Sequence, residues 1–258
     1  MKSIDLNCDM GESFGRYTLG LDEEVIKAIT SANVACGWHA GDPLVMDATV
    51  AMARESGVGV GAHPGYPDLL GFGRRNMDCT LEEIRAYVTY QIGALQAFCT
   101  AHGMKLQHVK PHGNLYLSML EDEDLARAVA EAVARVDPQL ICLTLAGAKN
   151  RNMTRACEAL GLKVAYEAFP DRAYTVDGTL VSRRKPGAVI HDPAQATERA
   201  LRMARDNEVI AEDGTRIPLE VHTLCVHGDT VTAVDLVKQI SQGLTSEGLA
   251  VKPLGEIM

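Results

Sequence analysis

Short apolar runs alternate with longer amphipathic ones along the whole chain. Ser3–Cys8, Ser31–Cys36, Val58–Ala62, Leu106–Val109, Leu140–Ala146, Leu162–Tyr166 and His222–Val226 are bounded by glycine, proline or charge, and they predict strands. Between them the helices are announced by caps. Asp42-Pro43 opens one that Gly57 closes, with a capping carboxylate followed by proline at the first helical position. Thr80-Leu-Glu-Glu83 is a capping box for a helix running toward Gly103. Further helices are expected over Glu121–Arg135, Ala148–Leu160, from Asp192-Pro193 onward, and over Thr230–Leu244.

Read as strands apolar on both faces, the short runs imply a parallel sheet covered by helices. Seven such strands in one βα series predict an α/β fold, a distorted seven-stranded (β/α) barrel of the TIM type with one unit missing or degraded. The competing open doubly wound sheet lacks its phosphate turn, because DMGESFG after the first strand contains no GxGxxG. Tyr174–Val181 and Val209–Leu219 each carry Asp-Gly between extended residues and read as hairpins. With no internal repeat or linker, residues 1–258 are expected to form one barrel domain.

Composition narrows the partners. The formal net charge is -9 and no run of basic residues stands out, so nucleic acid and anionic membrane are not the expected partners. No segment is long and apolar enough to span a bilayer, and the N-terminus reads as that of a cytoplasmic protein. The seven cysteines include no CxxC pair and imply reduced thiols. Cys36 alone falls at a strand end.

In parallel βα folds the chemistry collects where the strands run out. The first strand ends in Asn7, Asp9 and Glu12, the second in Asn33, Cys36 and His39, and the third in His63. The fourth supplies Lys110 and His112, the sixth Glu167, Asp171 and Arg172, and the seventh His227 and Asp229. Four of the eight histidines therefore stand at strand ends, each beside glycine or proline. Each residue alone has a plain structural explanation; their convergence on one rim does not, and it predicts an active site. Carboxylate, imidazole and ammonium together suit hydrolysis of an amide or ester, with a carboxylate handling water and a cation holding an anionic substrate. Asp9, His39 and His63 equally suit an open divalent-metal site. No GxSxG, HExxH or Walker loop is present.

The stretches DLNCDMGESFG, SANVACGWHAGDP, GVGAHPGYPDLLGFGRR, VKPHGNLY, EAFPDRAYTVDGTLVSRRKPGAVI and CVHGD resemble the LamB/YcsF family. That resemblance implies a barrel like those of the glycoside hydrolase/deacetylase superfamily. It implies the activity of one component of 5-oxoprolinase: opening of 5-oxo-L-proline to L-glutamate with ATP as cosubstrate, alongside partner subunits B and C. The family positions carry over to Asn7, Asp9, His39, His63, Lys110, His112, Asp171, Arg172, His227 and Asp229. The alternative is a stand-alone metal-dependent deacetylase or amidohydrolase acting on a carbohydrate or N-acyl substrate.

Overall fold

The computed structural model describes residues 2–147, 150–226 and 231–258, with backbone alone at 231–233. His227 and Asp229, expected at the site, lie outside the described residues.

Seven parallel strands close a barrel: β1 (Ser3–Met10), β2 (Ser31–Ala35), β3 (Gly59–His63), β4 (Leu106–Val109), β5 (Ile141–Leu145), β6 (Lys163–Ala168) and β9 (Thr223–Cys225), with β9 pairing back onto β1. The two residues of β10 (Ala250–Val251) add to the start of β1, so the eighth unit survives as a stub beside the barrel. The short helix α1 (Asp22–Val25) follows β1, and α2 (Pro43–Ser56), α3 (Leu81–Ala101), α4 (Gly113–Glu121), α5 (Glu123–Val136), α6 (Arg151–Ala159), α7 (Pro193–Asp206) and α8 (Val231–Ser246) follow in chain order. Their caps are those the sequence announces. Asp42 accepts from Leu44 N and Val45 N, Gly57 takes the left-handed conformation, and Thr80 and Glu83 form the reciprocal box. No helix among the described residues is long and apolar enough to cross a membrane.

The expected helix over Glu121–Arg135 is two. Asp122 leaves helical geometry, ends α4, and caps α5 through a bond from Leu125 N. The second expected hairpin forms, as β7 (Glu208–Ile210) against β8 (Arg216–Pro218), whereas the first is reduced to a single bridge between Tyr174 and Leu180.

Not every strand is apolar on both faces: β5 is, with Ile141 and Leu143 inside and Cys142 outside, but β1 is not. In β1 the outward residues Ile4, Leu6, Cys8 and Met10 pack against helices, while Asp5 and Asn7 turn inward and are fully buried. Inside the barrel a polar column links the walls. Ser31 and Thr223 donate to Asp5, Asn7 Nδ2 donates to Thr223 Oγ1 at 2.6 Å, and Asn33 Nδ2 donates to Asn7 Oδ1 at 2.7 Å. His108 Nε2 meets Asn33 Oδ1 at 2.7 Å. Gly61 makes that contact possible, since a Cβ there would lie 2.0 Å from the His108 ring. Burial alone would strand these groups; mutual hydrogen bonding keeps the cost tolerable. The rest of the interior is a small apolar plug of Ile141, Leu143, Ala165 and Leu254.

Candidate active site

The site is built on the ends of β1, β3 and β4. Beyond Val109 the chain keeps its place beside β3, with Lys110 N bonded to Ala62 O and His112 N to Pro64 O. Pro111 falls between these two donors, where its missing N–H costs no bond. Lys110 is thereby aimed into the barrel mouth and His112 toward His63.

Lys110 is 4% exposed and carries the central charge. Its Nζ lies 2.9 Å from Asp9 Oδ1 and 2.9 Å from Glu167 Oε1. Burial opposes the ammonium, but Asp9 and Glu167 more than offset that, and its pKa lies well above the ordinary lysine value. Asn33 Nδ2 also donates to Asp9 Oδ1, at 2.9 Å, and Tyr116 donates to Glu167 Oε2 at 3.1 Å. The other Asp9 oxygen, Oδ2, is 3.3 Å from His63 Nε2.

Three histidines pack beside this pair. His63 Nδ1 meets Lys110 O at 2.6 Å and His112 Nε2 meets Phe72 O at 2.8 Å. Carbonyl oxygens only accept, so both of those ring nitrogens carry hydrogen. The remaining nitrogens, His63 Nε2 and His112 Nδ1, face each other at 2.9 Å. Burial, then His39 and His63, pushes the His112 pKa far below its usual value, and burial does the same for His39. A cation placed between those two nitrogens would accept a lone pair from each ring.

Glu12 is the carboxylate beside the other two rings, with Oε1 3.3 Å from His39 Nε2 and 3.7 Å from His112 Nδ1. Ligand atoms of Glu12, His39, His63 and His112 all lie within 4.8 Å of one another. Neutral imidazoles whose other N–H is anchored on a backbone carbonyl are the donor form that metal sites use. The set therefore fits a divalent ion, with His63, His112 and Glu12 as its core. His39 stacks parallel on His112, centroids 3.6 Å apart, so the two rings cannot both aim in plane at one ion. Its buried Nδ1 has no hydrogen-bond partner among the described residues. The carboxylate in this group is Glu12, while Asp9 is engaged by Lys110 and Asn33.

Residues the sequence did not single out complete the floor. Phe72 sits at φ 55, a conformation costing about 1–2 kcal/mol outside glycine, and that turn delivers its carbonyl to His112. Gly73 follows because a Cβ there would come within 2.8 Å of both His39 and His112. Asp9, Glu12, His63, Lys110, His112 and Arg172 line a cavity of about 820 Å³. Asn7, Asn33, His39 and Glu167 are buried and do not line it, and neither does Asp171, buried in the loop after β6. Arg172 is 6% exposed and donates to Ala188 O and Val181 O. Cys36 is buried, and burial pushes its thiol up to about 12, which suits a wall residue rather than a nucleophile.

Residues 4–258 match the model of the LamB/YcsF family. The chain is similar to the A subunit of 5-oxoprolinase from Thermococcus onnurineus, 58% identical over 255 residues and covering 99% of each. Among solved structures, the lactam utilization protein of Thermus thermophilus matches with TM-score 0.92 at 44% identity, over 97% of this chain and 99% of that one. The peptidoglycan deacetylase PdaC of Bacillus subtilis matches with TM-score 0.50 at 13% identity, over 99% of this chain and 89% of that one, a likeness of fold alone.

Proposed function

The chain belongs to the LamB/YcsF family, and from that membership and the chemistry of the cavity we propose that it opens the cyclic amide of 5-oxo-L-proline to L-glutamate as one component of an ATP-dependent assembly. The observation that carries this reading is the meeting of Asp9, Lys110, His63 and His112 at one cavity. The Thermococcus relative is one subunit of its enzyme, which supports partner subunits for this chain, here B and C.

A lactam is a resonance-stabilised amide that recloses readily, so coupling to ATP drives an opening that hydrolysis alone does not. The chain has no phosphate loop, and phosphorylation of the lactam is assigned to the partners. This chain then delivers water. Asp9, fixed by Lys110 and Asn33, takes the proton of water as the oxygen adds to the ring carbon. A proton returns from Asp9, with His63 beside it, to the ring nitrogen as the C–N bond breaks; the acyl phosphate so formed is hydrolysed by a second water, releasing inorganic phosphate and L-glutamate. Lys110 pairs with Asp9 and Glu167 and presents its charge toward the oxyanion. His227 and Asp229 keep the catalytic and substrate-binding roles expected from sequence, and Asn7, Asn33, Glu167, Asp171 and Arg172 support or bind substrate.

In a mixture of all three subunits, glutamate release from 5-oxo-L-proline should require ATP and this chain together. Undiminished release with this chain left out would reject the proposal.

A divalent ion bound by Glu12, His63 and His112 would polarise the carbonyl oxygen, and with His63 Nε2 and His112 Nδ1 then occupied, Asp9 alone would carry the proton. Calorimetric titration of chelator-treated protein with zinc should show one equivalent bound, and none in His63→Ala/His112→Ala. Equal binding by both would remove the ion from this site. The same cluster is what favours the second reading, a metal-dependent deacetylase or amidohydrolase, and hydrolysis without ATP is its mark.

A further inference from the structure

The cavity is chemically divided. Its acids, Asp9, Glu12 and Asp22, belong to β1 and the segment after it, and its floor cation Lys110 is already committed to Asp9 and Glu167. Arg74, Arg183 and Arg184 line the same cavity, all three exposed. That concentration of guanidinium groups stands out in a chain of net charge -9.

The fold holds the backbone that carries two of these arginines. Lys185 N bonds to Ser182 O at 2.9 Å, closing a turn with Arg183 and Arg184 at its two central positions. The turn is tethered from below, where buried Arg172 donates to Val181 O at 2.6 Å and to Ala188 O at 3.3 Å. Arg199 Nη2 fastens Arg172 O in turn, at 2.6 Å. Burial first, and then Arg183, pushes the Arg172 pKa down, so these like charges already oppose each other. Arg74 is set by the Phe72 turn, its guanidinium 5.0 Å from the ring centroid.

We infer that Arg74, Arg183 and Arg184 form a binding site for a phosphate group, and that the ligand of this cavity is a phosphorylated small molecule. One carboxylate is satisfied by a single bidentate arginine, whereas several guanidiniums at one cavity suit the greater charge and the additional oxygens of phosphate. A cavity of about 820 Å³ leaves room for a phosphate beside a five-membered lactam acid. This deepens the proposed function: the site would receive the lactam after its phosphorylation and hold the phosphate while water attacks beneath. Identification of the phosphate's carrier rests on that proposal; phosphate binding does not, and is measured without turnover.

Calorimetric titrations of the isolated chain at constant ionic strength with inorganic phosphate, acetate and ADP test the site. Phosphate should bind at one site, acetate at least tenfold more weakly, and ADP no more than tenfold more tightly than phosphate. Arg183→Gln/Arg184→Gln should weaken phosphate at least tenfold, and Arg54→Gln/Arg205→Gln, with the same loss of charge at exposed positions outside the cavity lining, should leave it unchanged. Equal weakening by both pairs, or none by the first, would overturn the site. ADP binding more than tenfold tighter than phosphate would assign it to a nucleotide and overturn the small-molecule assignment. Loss of phosphate binding in Arg183→Gln/Arg184→Gln with intact turnover would overturn the assignment of the phosphate to the lactam while sparing the function.

Discussion

Lys110→Met is expected to lower the free energy of unfolding by about 3–5 kcal/mol, the range for breaking a buried ion pair by removing one partner. The reason is the pair of carboxylates left behind. Asp9 and Glu167 each sit 2.9 Å from the ammonium, and Glu167 is fully buried. Without the cation, burial and mutual repulsion raise the pKa of at least one carboxylate above its unfolded value. The sign of the pH dependence follows. A raised carboxylate pKa favours the folded state most at low pH and progressively less as pH rises through the folded value, so the defect should be larger at pH 8 than at pH 5. In the unsubstituted chain Lys110 adds no such slope over that range. Its folded pKa lies above the ordinary lysine value, so its stabilisation is lost only at more alkaline pH. Urea unfolding at the two pH values checks this, and adding Glu167→Gln should recover part of the loss. A defect below about 1 kcal/mol, equal at both pH values, would mean that the charges are not interdependent.

The sequence exposes the barrel clearly because both layers write themselves into short segments. IDLNCDM alternates apolar and polar residues throughout, and the apolar set alone is enough to mark β1. What the alternation means is less accessible. Asp5, Asn7 and Asn33 look like residues at strand ends or exceptions within strands until their partners across the barrel, Thr223 and His108, are known. Nothing along the chain reveals that Gly61 exists to admit an imidazole from the neighbouring strand. The break at Asp122 is hidden for a similar reason, because an acid in a first helical turn and an N-cap closing one helix and opening another have the same local composition.

At the site, residue types at strand ends were legible and division of labour was not. Asp9 and Glu12 are three residues apart, yet one is held by Lys110 and Asn33 and the other faces the imidazoles. Phe72 acts through its carbonyl and conformation, properties its side chain does not announce. Arg183-Arg184-Lys185 is a basic run of only three residues, too short to stand out in a chain whose overall charge is negative.

The second large effect is that of Asp9→Asn. Asparagine has nearly the same shape and its oxygen can keep the bonds from Asn33 and Lys110, so the cavity should hold its form. What disappears is the acceptor for a proton of water beside His63. General-base contributions of this kind are about 10²–10⁴-fold. The most direct measurement is ATP-dependent glutamate formation from 5-oxo-L-proline by the three-subunit mixture carrying Asp9→Asn, with folding checked by urea unfolding. A fall in kcat of about a thousandfold, with KM within a few-fold of the original, is the predicted result. A folded variant that keeps kcat within about threefold would contradict the account.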